Sequence, residues 1–129
     1  MPEADADKRE DELRVLVVTD DAQLAHEASF GFPVGVRVTV VRDAREALEF
    51  AGQQTPSVVV VDLQTGSSGG IALAREMAQD DRLANVPIMM LLERPEDEWL
   101  AKRGGAHLVR TKPLDTTELV TDTLELARR

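Results

Sequence analysis

Val58-Val59-Val60-Val61-Asp62 narrows the possible folds more than any other stretch of the chain. Four consecutive β-branched residues make a stiff extended segment that is apolar on both faces. Such a strand belongs inside a parallel sheet covered by helices on each side. The carboxylate that follows, and then Gln64-Thr65-Gly66-Ser67-Ser68-Gly69-Gly70, mark where the strand stops and a loop begins. Open α/β sheets bind ligands at this carboxyl edge, so Asp62 is the first candidate functional residue.

The flanking sequence alternates in the way that placement requires. Leu13 to Val18 reads as a first strand, ending in Thr19-Asp20-Asp21. A short helix over about Ala22 to Ser29 follows, capped by Asp20 or Asp21 and broken by Phe30-Gly31-Phe32-Pro33-Val34-Gly35. Val36 to Val41 is a second strand with one wetter face, which suits an edge. Asp43 caps a helix over about Ala44 to Gly52, whose buried stripe is Ala44, Ala47, Leu48 and Ala51. Beyond the central strand, a helix covers about Ile71 to Gln79 and an apolar strand runs from Val86 to Leu92. Pro95 opens a fourth helix, which Gly104-Gly105 ends. Ala106 to Arg110 is the fifth strand, and a last helix runs from about Asp115 to Ala127. Five strands alternating with five helices form right-handed βαβ units. The expected architecture is a doubly wound α/β fold, a parallel sheet in the order 2-1-3-4-5.

Charge and composition exclude several classes. With 129 residues, 43% of them hydrophobic, the chain suits one domain with one core. No cysteine is present, so disulfides and thiolate metal sites are ruled out. There is no membrane-spanning run and no cleavable signal pattern, and the expected location is the cytoplasm. Net charge is −9, and residues 1–12 hold six acids against two bases, which is −4 of that total. That segment reads as a solvated, disordered acidic tail, with the folded domain over 13–129. The acidic balance argues against a nucleic-acid partner. The chain ends with the fifth helix, which is expected to leave no room for an attached effector domain.

In the order 2-1-3-4-5 strands 1 and 3 are neighbours, so Asp20 and Asp62 share one edge. Carboxylates crowded there repel each other unless a cation sits among them. Oxygen donors without soft ligands suit Mg²⁺. Lys112 ends strand 5 at the same edge, and its stem reaches toward Asp62. A carboxylate, a hard cation and a lysine are the parts that phosphoryl transfer uses. The glycine-rich loop after Asp62 has the composition of a phosphate nest. In flavodoxin-type proteins, however, that loop follows the first strand, where this chain has Asp20-Asp21, so flavin or nucleotide binding is not expected. His26 and His107 lack the spacing of a metal site. Trp99 is expected to pack inward from the fourth helix. An exposed Trp99 would instead be an interface anchor.

Taken in order, Val15-Leu16-Val17-Val18-Thr19-Asp20, Val59-Val60-Val61-Asp62-Leu63, Pro87-Ile88-Met89-Met90-Leu91, Gly105-Ala106 and Thr111-Lys112-Pro113 resemble the receiver domain of two-component response regulators. The resemblance runs from about Arg14 to Arg129. It implies a three-layer flavodoxin-like fold with Asp62 as phospho-acceptor and Lys112 in contact with the phosphoryl group. It implies that Mg²⁺ is held by Asp20, Asp62 and the backbone carbonyl of Gln64, with Asp21 close by, and that the Lys112-Pro113 bond is cis. A histidine kinase or phosphotransfer protein would supply the phosphoryl group, with no catalysis beyond self-phosphorylation and dephosphorylation. A protein target would read the face made by helix 4, strand 5 and helix 5.

Four positions depart from the pattern. Thr19 replaces the first acid of the usual pair, Leu92 the hydroxyl residue ending strand 4, and Val109 the aromatic of strand 5. Thr65-Gly66 replaces a Met-Pro. These substitutions point to an atypical orphan receiver that switches weakly and acts through protein contact. The alternative is a pseudo-receiver that docks without using phosphate. The Ala-, Arg- and Val-rich composition resembles a high-GC actinobacterium, and by that resemblance alone the assembly would be respiratory NADH dehydrogenase.

Overall fold

The structure is a computed structural model, and it describes residues 13–63 and 69–129. The acidic segment 1–12, Gln64 and Thr65-Gly66 lie outside the described residues. Five parallel strands form one sheet in the order β2-β1-β3-β4-β5, as the alternation predicts. The strands are β1 (Arg14–Val18), β2 (Arg37–Val41), β3 (Val58–Asp62), β4 (Ile88–Leu92) and β5 (Leu108–Thr111). The helices are α1 (Ala22–Gly31), α2 (Ala44–Gln53), α3 (Gly69–Gln79), α4 (Glu98–Arg103) and α5 (Thr116–Ala127).

Strand alternation sorts the apolar residues into two cores. Leu16, Val18, Val59, Val61, Met90 and Leu92 face α2, α3 and α4 through Ala47, Leu73, Met77 and Ala101. Val15, Val17, Val58, Val60, Met89 and Leu91 face α1 and α5 through Leu24, Ala28, Leu119 and Leu126. All residues of β3 and β4 are buried, so these strands have no polar face to offer water. At about 1.5–3 kcal/mol for each large apolar side chain buried, they are the main source of cohesion. The edge strand β2 is wetter, with Arg37 exposed and the other four residues partly buried.

Local chemistry sets the helix ends. Asp21 is the N-cap of α1, its carboxylate accepting from the N–H groups of Gln23 and Leu24. Asp43 caps α2 by accepting from Glu46 N–H, while Glu46 reaches back to Arg42 N–H at 2.7 Å. Asp115 caps α5 through Glu118 N–H.

Several expectations need correction: α1 runs on through Phe30 and Gly31, which were expected to break it, and β4 begins at Ile88, not Val86. Pro95 opens a 3₁₀ turn (Pro95–Asp97) rather than the α-helix itself, so α4 is only six residues long. The fifth strand begins at Leu108, not Ala106, because Ala106 N–H still closes the end of α4 on Ala101 O after Gly105 turns at φ 116°. Trp99 is 64% exposed, not packed inward. Ala101 is the buried residue of α4, and two positions along a helix turn a side chain about 200° away.

Candidate functional site at the carboxyl edge

The β-register brings the chemistry together. Val18 pairs with Val61 across β1 and β3, so Thr19 and Asp62 come level one residue further along. Thr19 Oγ1 donates to Asp62 Oδ2 at 2.9 Å, with both residues 1% exposed. From the far side, Lys112 Nζ donates to the same oxygen at 2.9 Å. The cis Lys112-Pro113 bond, which the resemblance implies, is present just after it. A carboxylate buried this deeply would be costly to ionise alone. An ammonium and a hydroxyl supply charge and a proton where water cannot.

Lys112 stands among three carboxylates: Asp62, Asp21 Oδ2 at 3.7 Å and Glu93 Oε1 at 3.5 Å. Burial works against its charged form. The hydrogen bond and charge of Asp62, then Glu93 and Asp21, prevail and raise its pKa above the usual lysine value. The ammonium is therefore a fixed positive charge at neutral pH. A cleft of about 440 Å³ opens beside it, lined among others by Asp21, Leu24, Glu93, Lys112 and Leu114.

Of the expected residues, Asp62, Lys112 and Asp21 meet. Asp20 follows Thr19 at the same edge and is exposed. Gln64 falls outside the described residues. Two residues act where the sequence reading gave them no role. Thr19 figured there as a missing acid, yet its hydroxyl is a donor to Asp62 and an acceptor for Asp21 N–H at 3.0 Å. Glu93, which the motifs do not include, stands directly after β4 and so at the carboxyl edge. His107 is structural: its Nδ1 accepts from Ile88 N–H at 3.0 Å, so the ring proton sits on Nε2. Leu92 is wholly buried in the core, and Val109 packs against that core.

The donor set limits any metal that binds. Among the described residues no group of three or more His, Cys, Asp or Glu side chains converges as a metal cage. Asp20 and Asp62 are hard oxygen donors, and Mg²⁺ is commonly held by one or two carboxylates with waters completing the octahedron. The residues thus fit a hydrated Mg²⁺ and not a caged ion.

A buried strand-end aspartate met by a strand-5 lysine, at the switch point of a 2-1-3-4-5 sheet, defines a doubly wound α/β domain with an acid–lysine site. The chain belongs to the response regulator receiver domain family, which it matches over residues 15–123. It is 31% identical over 120 residues to the virulence transcriptional regulatory protein PhoP of Salmonella typhimurium, covering 91% of this chain and 53% of PhoP. The chain therefore spans about half the length of the curated relatives it matches. Among solved structures, the receiver domain of Francisella response regulator 1452 superposes with a TM-score of 0.79 at 27% identity, covering 92% of this chain and 98% of that one. The receiver domain of the sensor histidine kinase PA1611 of Pseudomonas aeruginosa superposes with a TM-score of 0.78 at 21% identity, covering 92% and 99%. That structure has a magnesium ion coordinated in its active-site cleft. Receiver domains of this family work with histidine kinases or phosphotransfer proteins.

Proposed function

We propose that this receiver accepts a phosphoryl group on Asp62 and passes the signal by protein contact, with little internal switching. The observation that carries this reading is the 2.9 Å bond from Lys112 to a carboxylate that is 1% exposed. In the reaction, a carboxylate oxygen of Asp62 attacks phosphorus and the bond from phosphorus to the donor's nitrogen or oxygen breaks. The leaving group keeps that electron pair. Lys112 offsets charge on the transferred oxygens. Asp20, Asp62 and the carbonyl of Gln64, with Asp21 alongside, are the residues that would hold Mg²⁺, which supplies further charge neutralisation when bound.

Weak switching follows from Leu92 and Val109. A ligand shifts a conformation only through contacts that differ between states. Leu92 has no hydroxyl to offer a phosphoryl group, and Val109 has no ring to swing. The protein-contact surface is the face of α4, β5 and α5, where Trp99 is exposed beside Leu100. The same two residues favour a second reading, a docking subunit that does not use the phosphate.

Intact mass after incubation with Mg²⁺ and acetyl phosphate separates the two. A phosphoryl adduct on the native chain and none on Asp62→Asn supports the acceptor. No adduct on folded protein overturns it and leaves the docking reading.

A further inference from the structure

We propose that Arg14 and Arg37 form a carboxylate-binding site at the amino edge of the sheet, opposite Asp62. This inference does not depend on phosphorylation. The first residues of β1 and β2 are these two arginines, and they are direct register partners. Neighbouring strands lie about 4.8 Å apart, and like charges set opposite each other on one sheet face are destabilising. Alternation puts both on the face that carries Leu16 and Val41, beneath the end of α2.

Nothing among the described residues offsets the pair. Among the described residues no Asp or Glu lies within ion-pair distance of either guanidinium. Arg14 Nε is buried and has no hydrogen-bond partner. A guanidinium donor shut away from water without an acceptor is uncommon in a folded protein.

The two arginines line a cleft of about 390 Å³ whose other walls include Val15, Val38, Thr39, Phe50, Gln54 and Pro56. Phe50 and Pro56 beside two guanidiniums favour a carboxylate on a short aliphatic stem, since the planar fork meets both carboxylate oxygens at once. Acidic side chains fit that description, and two sources of them exist. One is an acidic segment of a partner. The other is this chain's own residues 1–12, whose six acids are joined through Leu13, the residue whose carbonyl accepts Arg37 N–H at 2.9 Å. A source tethered that closely acts at high effective concentration.

The test is a titration of the full chain with glutarate, followed by the Arg14 Nε–Hε resonance and the amides of Val15 and Val38. It is repeated on full chains carrying Glu3→Gln, Asp5→Asn, Asp7→Asn, Glu10→Gln, Asp11→Asn and Glu12→Gln together, and on Arg14→Gln and Arg37→Gln. Arg37 is exposed, so Arg37→Gln folds whatever Arg14→Gln does. Saturable shifts that either arginine substitution weakens at least tenfold are the expected result. Equal affinity in the native and neutralised chains supports the site and assigns it to a separate acidic partner. Tenfold tighter binding in the neutralised chain supports the site and assigns it to the chain's own acidic segment. No saturable shift in the neutralised chain, or unchanged binding in Arg37→Gln, overturns the proposal.

Discussion

Replacing Thr19 with valine removes one hydroxyl and keeps the shape of the side chain. The lost proton is the one donated to Asp62 Oδ2 across 2.9 Å, between two residues each 1% exposed. A hydrogen bond to a charged group contributes about 1.5–3 kcal/mol, and leaving a buried carboxylate short of a donor costs at the upper end of such values. An expected loss of about 2 kcal/mol lowers the melting temperature of a 129-residue domain by about 7 °C. Thr19→Ser keeps the hydroxyl and gives up a methyl group, which costs about 1 kcal/mol. Thermal unfolding followed by circular dichroism therefore ranks native above Ser above Val. Adding Asp62→Asn removes the charged acceptor, so the penalty for Thr19→Val shrinks by about 1–2 kcal/mol in a double-mutant cycle. A valine variant as stable as the serine variant, or a penalty that is the same in both backgrounds, refutes the argument. Thr19→Asp makes the complementary point. A second carboxylate beside Asp62 destabilises the metal-free domain, and millimolar Mg²⁺ raises the melting temperature of this variant more than that of the native chain.

Three other outcomes are expected. The raised pKa of Lys112 means its contribution to stability is fully present below the unfolded-state value near 10.5 and fades as pH rises through the folded-state value. Alkaline denaturation should flatten in Lys112→Gln, and an unchanged profile would show the ammonium to be uncoupled from folding. With its side chain out in solvent, Trp99 should be quenched by iodide as readily in the folded domain as in denaturant, and Trp99→Ala should change stability by less than about 0.5 kcal/mol. His107→Ala takes away the acceptor for Ile88 N–H, so exchange of that amide should quicken and stability fall by about 1–2 kcal/mol. Unaltered exchange at Ile88 would contradict the bond.

The sheet was legible because its strands are written in β-branched and aliphatic residues whose meaning is local. Val58 to Val61 can hardly be anything but a central strand, and the alternation of strands with helices pointed to the parallel order 2-1-3-4-5 that the sheet has. Asp62 and Lys112 were legible as strand ends, because topology alone brings strand ends to one edge. The role of Thr19 was not legible, since its partner lies 43 residues away and the bond depends on register to within one residue. Glu93 could have been found from its position after Leu92. Trp99 failed because six helical residues give too short a period to tell an inward face from an outward one, and the one buried side chain, Ala101, is too small to reveal it. The start of β5 failed for a similar reason, since the turn that closes α4 uses a residue whose composition reads as strand.

The placement of Lys112 also decides which atoms of a reagent this domain responds to. Lys8, Lys102 and Lys112 are the lysines of the chain. Lys112 is only 16% exposed and is held as an ammonium by three carboxylates, so its nitrogen has no lone pair to offer an acylating agent. Lys102, 65% exposed beside Glu98, lies open to solvent and to any reagent in it. An acyl phosphate carries two electrophilic centres, a phosphorus and a carbonyl carbon. Under the proposed acceptor role, the edge that would present a carboxylate to the first withholds an amine from the second. Peptide mapping after such treatment should find acetyl groups on Lys102 before any appear on Lys112.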